Sequence, residues 1–167
     1  MEMRGMMGGF YRISEWIMRL SVTNLLWVIT SLPFWYFFFF GVILPLSDLA
    51  DPAEIYMGFL IAAVLAPFTL FPSTSAMFAM VRKWIMGDTD VPLFKTFFRS
   101  YKENYKISML GGLFYAVVFV VIYTDIRWYL SGASGLELIS YIFMGIAILL
   151  LVSLFNFFSM EIGRAHV

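Results

Sequence analysis

The residues best placed to do chemistry lie between 82 and 106. Lys95, Arg99, Lys102 and Lys106 recur at spacings of four, three and four, which lines four cations along one side of a helix. Phe94, Phe97, Phe98, Tyr101 and Tyr105 interleave with them as an aromatic face. Cations beside aromatics suit a lipid surface, where rings dip into the headgroup region and charges meet anionic lipid. They equally suit a docking surface for a protein partner. Phe94, Lys95, Phe98, Arg99, Tyr101, Lys102 and Lys106 are therefore the candidate docking residues, for lipid or partner. Nucleic acid is not expected there, because the segment is short and tethered to a membrane. Gly87-Asp88-Thr89-Asp90-Val91-Pro92 in front of it reads as a turn, with Thr89 or Asp90 capping the helix that follows.

A second group sits inside an apolar run: Pro67, Pro72, Ser73, Thr74 and Ser75. Each proline removes a backbone donor and frees a carbonyl one turn back. Neighbouring hydroxyls can satisfy such a backbone. A helix broken in this way either lines a substrate path, as in transporters, or simply kinks to pack. Ala62, Ala63 and Ala66 nearby permit close helix approach, as does Gly111-Gly112 further on. Asn24 and Asn156 fall near the same end of their helices and suit an inter-helix hydrogen bond, while Asp125 and Arg127 read as an exposed pair.

The groups that covalent or metal chemistry needs are scarce. There is no cysteine, so thiolate nucleophiles, thiolate metal sites and disulfides are excluded. The one histidine, His166, lies in the last seven residues. No Gly-rich loop precedes a Lys-Ser or Lys-Thr pair, as a phosphate-binding loop requires. The apolar runs hold no carboxylate or histidine of the kind that couples transport to protons. The expectation is a protein that is not an enzyme and holds no cofactor and no metal.

The elements that must position these residues are membrane helices. Of the 167 residues 62% are hydrophobic and only 13% charged, whereas a soluble domain carries about 25% charged residues. Four apolar runs cover 20–46, 55–81, 107–124 and 138–160, and a helix of about 20 apolar residues crosses a hydrocarbon core of about 30 Å. The runs are continuous rather than alternating, which excludes a β-barrel. The fold class is all-α: one polytopic membrane domain over 1–160, with a loop over 82–106. Phe10, Ile13, Ile17 and Leu20 add a short amphipathic helix before the first run, with Glu15 and Arg19 paired at i,i+4.

Charge sets the orientation. The N-terminal segment and the 82–106 connection together carry nine basic residues, and the remaining connections carry Arg127 alone. The positive-inside rule then places the N-terminus and the 82–106 loop in the cytoplasm, with the first run retained as a signal anchor. The last seven residues, Glu161 to Val167, read as the translated start of a common sequencing adapter. On that reading His166 plays no part in function, and the chain is a fragment cut near the end of its fourth helix.

Several blocks carry a family resemblance. Met3-Arg4-Gly5, Gly8-Gly9-Phe10-Tyr11, Trp16 and Asn24-Leu25-Leu26-Trp27 resemble the start of YesL-like proteins. Phe71 to Phe78 with Val81-Arg82-Lys83-Trp84, and Asp90 to Phe97 running on to Tyr101-Lys102, resemble the family's most recognisable segments. The match covers Met1 to Met160, specific in these blocks and only hydropathic in the third and fourth helices. The family is a bacterial membrane domain of unknown function, chiefly from Firmicutes. Its genes often lie near carbohydrate ABC transporters and sugar-responsive two-component systems. The resemblance implies an accessory or regulatory role in carbohydrate uptake or sensing, with a carbohydrate ABC transporter or sensor kinase as partner. It supplies no catalytic residues. The runner-up is a transporter or permease subunit with the Pro67/Pro72 helix lining the pathway.

Overall fold

The computed structural model describes residues 3–47, 51–131 and 138–164, with side chains over 10–46, 51–131 and 138–160. Among these residues there is no strand. The chain runs as α1 (Met3–Phe38), a π-helical segment (Phe39–Ile43), α2 (Leu44–Ser47), α3 (Pro52–Leu65), α4 (Leu70–Ile85), α5 (Leu93–Leu130) and α6 (Leu138–Arg164). Helix is what such a sequence must form in lipid, where each backbone donor and acceptor has to be satisfied within its own segment. Residues 165–167, including His166, and the side chains of 161–164 lie outside the described residues, as does Asp48 of the first connection.

Phe10–Leu46, Leu93–Leu130 and Leu138–Met160 are each long and apolar enough to cross a membrane. α3 and α4 make a fourth crossing if they are taken together as one span, bent by 51° at the break between them. Large apolar side chains cover the outside: Leu25, Val28, Ile29, Leu32, Val117, Val121 and Leu149 are all exposed. An apolar exterior of this extent is that of a protein solvated by lipid.

The helices are longer than their apolar runs. α1 has 36 residues and α5 has 38, about 54 and 57 Å at 1.5 Å per residue. The amphipathic segment expected over Phe10–Leu20 is therefore the first part of α1 and not a separate helix. Its apolar residues Phe10, Ile13 and Ile17 face outward, while Arg19 turns into the bundle at 6% exposure. The expected 82–106 loop is likewise mostly helix. Only Met86–Pro92 leaves helical geometry, and α5 then continues unbroken through the apolar run that begins at Ile107.

Two ends of the bundle are defined by contacts. At one end the ring of Trp16 in α1 meets Trp84 in α4 edge-on, with centroids 5.9 Å apart. At the other, Tyr56 of α3 bonds Thr124 of α5 at 3.1 Å, and Tyr129 of α5 stacks on Phe143 of α6. One buried cluster joins Leu26, Ala76, Met80, Trp84 and Phe97 near the first end. A second joins Ala66, Phe71, Tyr115 and Phe158 deeper in the bundle. Asp51 caps α3 by accepting from the Ala53 backbone N–H at 2.8 Å, with Pro52 at the first helical position.

Candidate functional site

The candidate site begins at the turn between α4 and α5. Gly87 adopts φ +94°, the left-handed conformation that closes a helix most easily without a side chain. The chain then folds back so that Asp90 comes within 3.9 Å of Arg19 on α1, which also pairs with Glu15. Asp90 thus faces a buried guanidinium and does not cap α5. Pro92 occupies the capping position, with no side-chain bond. The expected Glu15–Arg19 pair is present, but the burial of Arg19 and the roles of Asp90 and Trp84 were not visible in the sequence. They depend on a turn that brings residues some 70 positions apart together.

From this anchor α5 presents two faces. Thr96, Phe97, Ser100, Asn104, Ser108 and Gly112 are buried, and α5 packs along α4, where Phe97 meets Ala76, Met80 and Trp84. Small and short polar side chains in this stripe let the two helices approach closely. The opposite face carries Phe94 at 62% exposure, Phe98 at 44%, and exposed Lys95, Arg99, Lys102 and Lys106. Tyr101 and Tyr105 are half-buried between the faces. The single aromatic face expected from spacing is thus divided: Phe97 is core, Phe94 and Phe98 are surface, and the tyrosines bridge them. Arg99 donates to Glu103 at 2.8 Å. Among the described residues Lys95, Lys102 and Lys106 form no ion pair.

Depth separates the stripe into two parts. The exposed face continues past Lys106 as Leu110, Leu113, Val117 and Val121, so the cations share a face with lipid-facing residues. Lys106 stands directly before the apolar run, and Lys102, Arg99 and Lys95 follow at about 6, 10 and 16 Å further along the axis. The helix thus carries Arg99, Lys95, Phe98 and Phe94 further from the apolar run than Lys106 and Lys102.

The proline region forms a second feature. The helix breaks between Leu65 and Leu70, at Pro67, whose side chain is fully buried. Pro72 does not kink anything. It lies in the first turn of α4, where a missing N–H costs no helical bond. Side chains bond several carbonyls around the break, of which Phe68 O is the one that Pro72 leaves without a helical donor, while Leu65 O and Thr69 O also hold backbone bonds. Thr69 donates its hydroxyl to Leu65 O at 3.0 Å, Ser73 to Thr69 O at 2.5 Å and Thr74 to Leu70 O at 2.7 Å. Tyr105 on α5 donates to Phe68 O at 3.3 Å. Trp27 on α1 donates to the Thr74 hydroxyl at 3.0 Å. Ser75, expected to help, has a buried hydroxyl with no hydrogen-bond partner. Tyr105 and Trp27 were missed from the sequence because their partners lie on another element. Gly112 admits the break: a methyl there would stand 2.9 Å from Pro67 Cα and 2.8 Å from the Phe71 ring.

Two smaller expectations change. Asn24 and Asn156 are both exposed and do not form an inter-helix polar contact inside the bundle. Asp125 and Arg127 stand two apart on α5, on different faces of a helix, and form no pair. Among the described residues no group of three or more His, Cys, Asp or Glu side chains is arranged to hold a metal ion.

Comparison with known proteins adds the following. A family described as protein of unknown function, DUF624, matches residues 20–126. The uncharacterized protein YteU of Bacillus subtilis (strain 168) is 32% identical over 158 residues, 95% of this chain and 58% of its own. The uncharacterized protein YesL of the same organism is 29% identical over 119 residues, 71% of this chain and 43% of its own. YesV, also uncharacterized, is 43% identical over 51 residues, 30% of this chain and 24% of its own. The chain therefore spans about half the length of the first two relatives. No solved structure matches it.

Proposed function

The chain belongs to the DUF624 family of proteins of unknown function, the YesL family, and from that premise we propose that it is a non-enzymatic accessory component of bacterial carbohydrate uptake or sensing. It sits in the cytoplasmic membrane with its N-terminus inside, and the exposed face of α5 docks a carbohydrate ABC transporter or a sensor kinase. The carbohydrate link is what the family resemblance implies. The observation that carries the docking role is the division of α5: Phe94, Lys95, Phe98 and Arg99 are held exposed, away from the apolar run, by a helix anchored through Phe97. Exposed phenylalanines beside an arginine are of the residue types enriched in protein-binding surfaces. Lys102 and Lys106 meet anionic lipid and set the height of the docking face. A transport pathway along the Pro67/Pro72 helix has less support, since the cavity bordering the break is lined by apolar side chains.

Two outcomes are expected. Full-length protein recovers a sugar permease or sensor kinase in a pull-down, and Lys95→Glu/Arg99→Glu abolishes that recovery while membrane insertion is retained. Unaided movement of sugar across liposomes by the purified protein overturns the accessory role. A reporter fused after Gly87 reads as cytoplasmic, and an extracytoplasmic signal overturns the orientation.

A further inference from the structure

The break at Pro67 borders an apolar cavity of about 230 Å³. Phe34 and Phe38 of α1, Ala62 of α3, Phe71 of α4, Phe119 of α5 and Leu154 of α6 are among its walls, so five helices line it. A second apolar cavity of about 270 Å³ lies at the α3–α5 seam. Its walls include Val64, Val117 and Val121, all of them exposed on the lipid-facing side. The two cavities share Ala63 and Ala116. Two alanines thus border both the outer crevice and the cavity within the bundle.

The chemistry of an occupant follows from what the walls offer. A broken membrane helix holds a polar substrate or ion when unwound carbonyls and helix ends point into the site. Here the lining is hydrocarbon throughout. An apolar cavity of about 150 Å³ already stays dry and accepts small apolar molecules. In a bilayer the surrounding solvent is itself hydrocarbon. A chain entering the crevice gives up no hydration and gains the dispersion contacts that an empty void forfeits.

We propose that the crevice between α3 and α5 takes the acyl chain of a membrane lipid, which enters beside Val64 and Val117 and passes Ala63 and Ala116 to reach Phe71. The test uses purified chain in phosphatidylcholine vesicles doped with a phospholipid that bears a diazirine near its acyl terminus. After irradiation, peptide mass spectrometry maps the label. Label is expected on Ala62, Ala66 and Phe71, which are 2%, 7% and 5% exposed and out of reach of bulk lipid, as well as on exposed Val117 and Val121. Ala63→Phe and, separately, Ala116→Leu narrow the path past these alanines. Each is expected to lose the inner label and to keep the label on Val121. Wild-type label confined to exposed helix faces overturns the proposal, whatever fills the cavity instead. So does inner label that persists in both variants.

Discussion

Gly58→Ala is expected to prevent the bundle from accumulating in the membrane, or to lower its unfolding temperature in detergent by more than any other single-methyl change in the chain. The π-helical segment Phe39–Ile43 lies against α3 with Gly41 on Gly58. A methyl on Gly58 would stand 1.8 Å from the Gly41 carbonyl oxygen and 2.3 Å from its carbon. The obstacle is backbone, which cannot rotate away as the end of a side chain can. Overpacking ordinarily costs about 1–3 kcal/mol, and a clash that separates two helices lies at or above the top of that range. Gly145→Ala is the control. Nothing lies within 4 Å of a methyl there, and replacing a mid-helix glycine by alanine gains about 0.5–1 kcal/mol. Equal unfolding temperatures for Gly58→Ala and wild type would show that α3 does not pack on the π-helical segment in this way.

The second large effect tests the division of α5. Phe97→Ala is expected to cost about 3–5 kcal/mol, the usual range for emptying a buried phenylalanine site. Phe97 has no exposed surface and closes the cluster of Leu26, Ala76, Met80 and Trp84. Phe94→Ala, three residues earlier, is expected to leave stability within about 0.5 kcal/mol, as surface substitutions do. Thermal unfolding of both variants in the same detergent decides the matter. The pull-down tests the proposed docking role independently: on that proposal Phe94→Ala weakens partner recovery at wild-type stability. Two variants that melt together would mean that α5 does not present these faces.

These variants also show where sequence reasoning stops. Apolar runs report where the solvent changes from water to hydrocarbon, not where a helix ends. Nothing between Leu93 and Ile107 breaks a helix, so α5 passes through the boundary in one piece, and the same holds for α1 between Arg12 and Leu20. Spacing placed Lys95, Arg99, Lys102 and Lys106 on one side correctly, since they share an element. It could not say which of Phe94, Phe97 and Phe98 the neighbouring helix would claim. Two prolines looked equivalent along the chain. Only the restart of α4 at Leu70 makes Pro67 the break and leaves Pro72 in a first turn.

The amino-acid sequence by itself determined a helical membrane protein and gathered its cations toward the N-terminal segment and the 82–106 connection. Composition and charge distribution are properties of the chain, and bilayer physics acts on them one segment at a time. The tertiary structure alone decided that buried Arg19 comes within 3.9 Å of exposed Asp90, that Tyr105 bonds Phe68 O beside the break, and that Ala63 and Ala116 border both apolar cavities. Each of these joins residues at least 37 positions apart. Their pairing follows from how the helices pack, which neither hydropathy nor local spacing encodes.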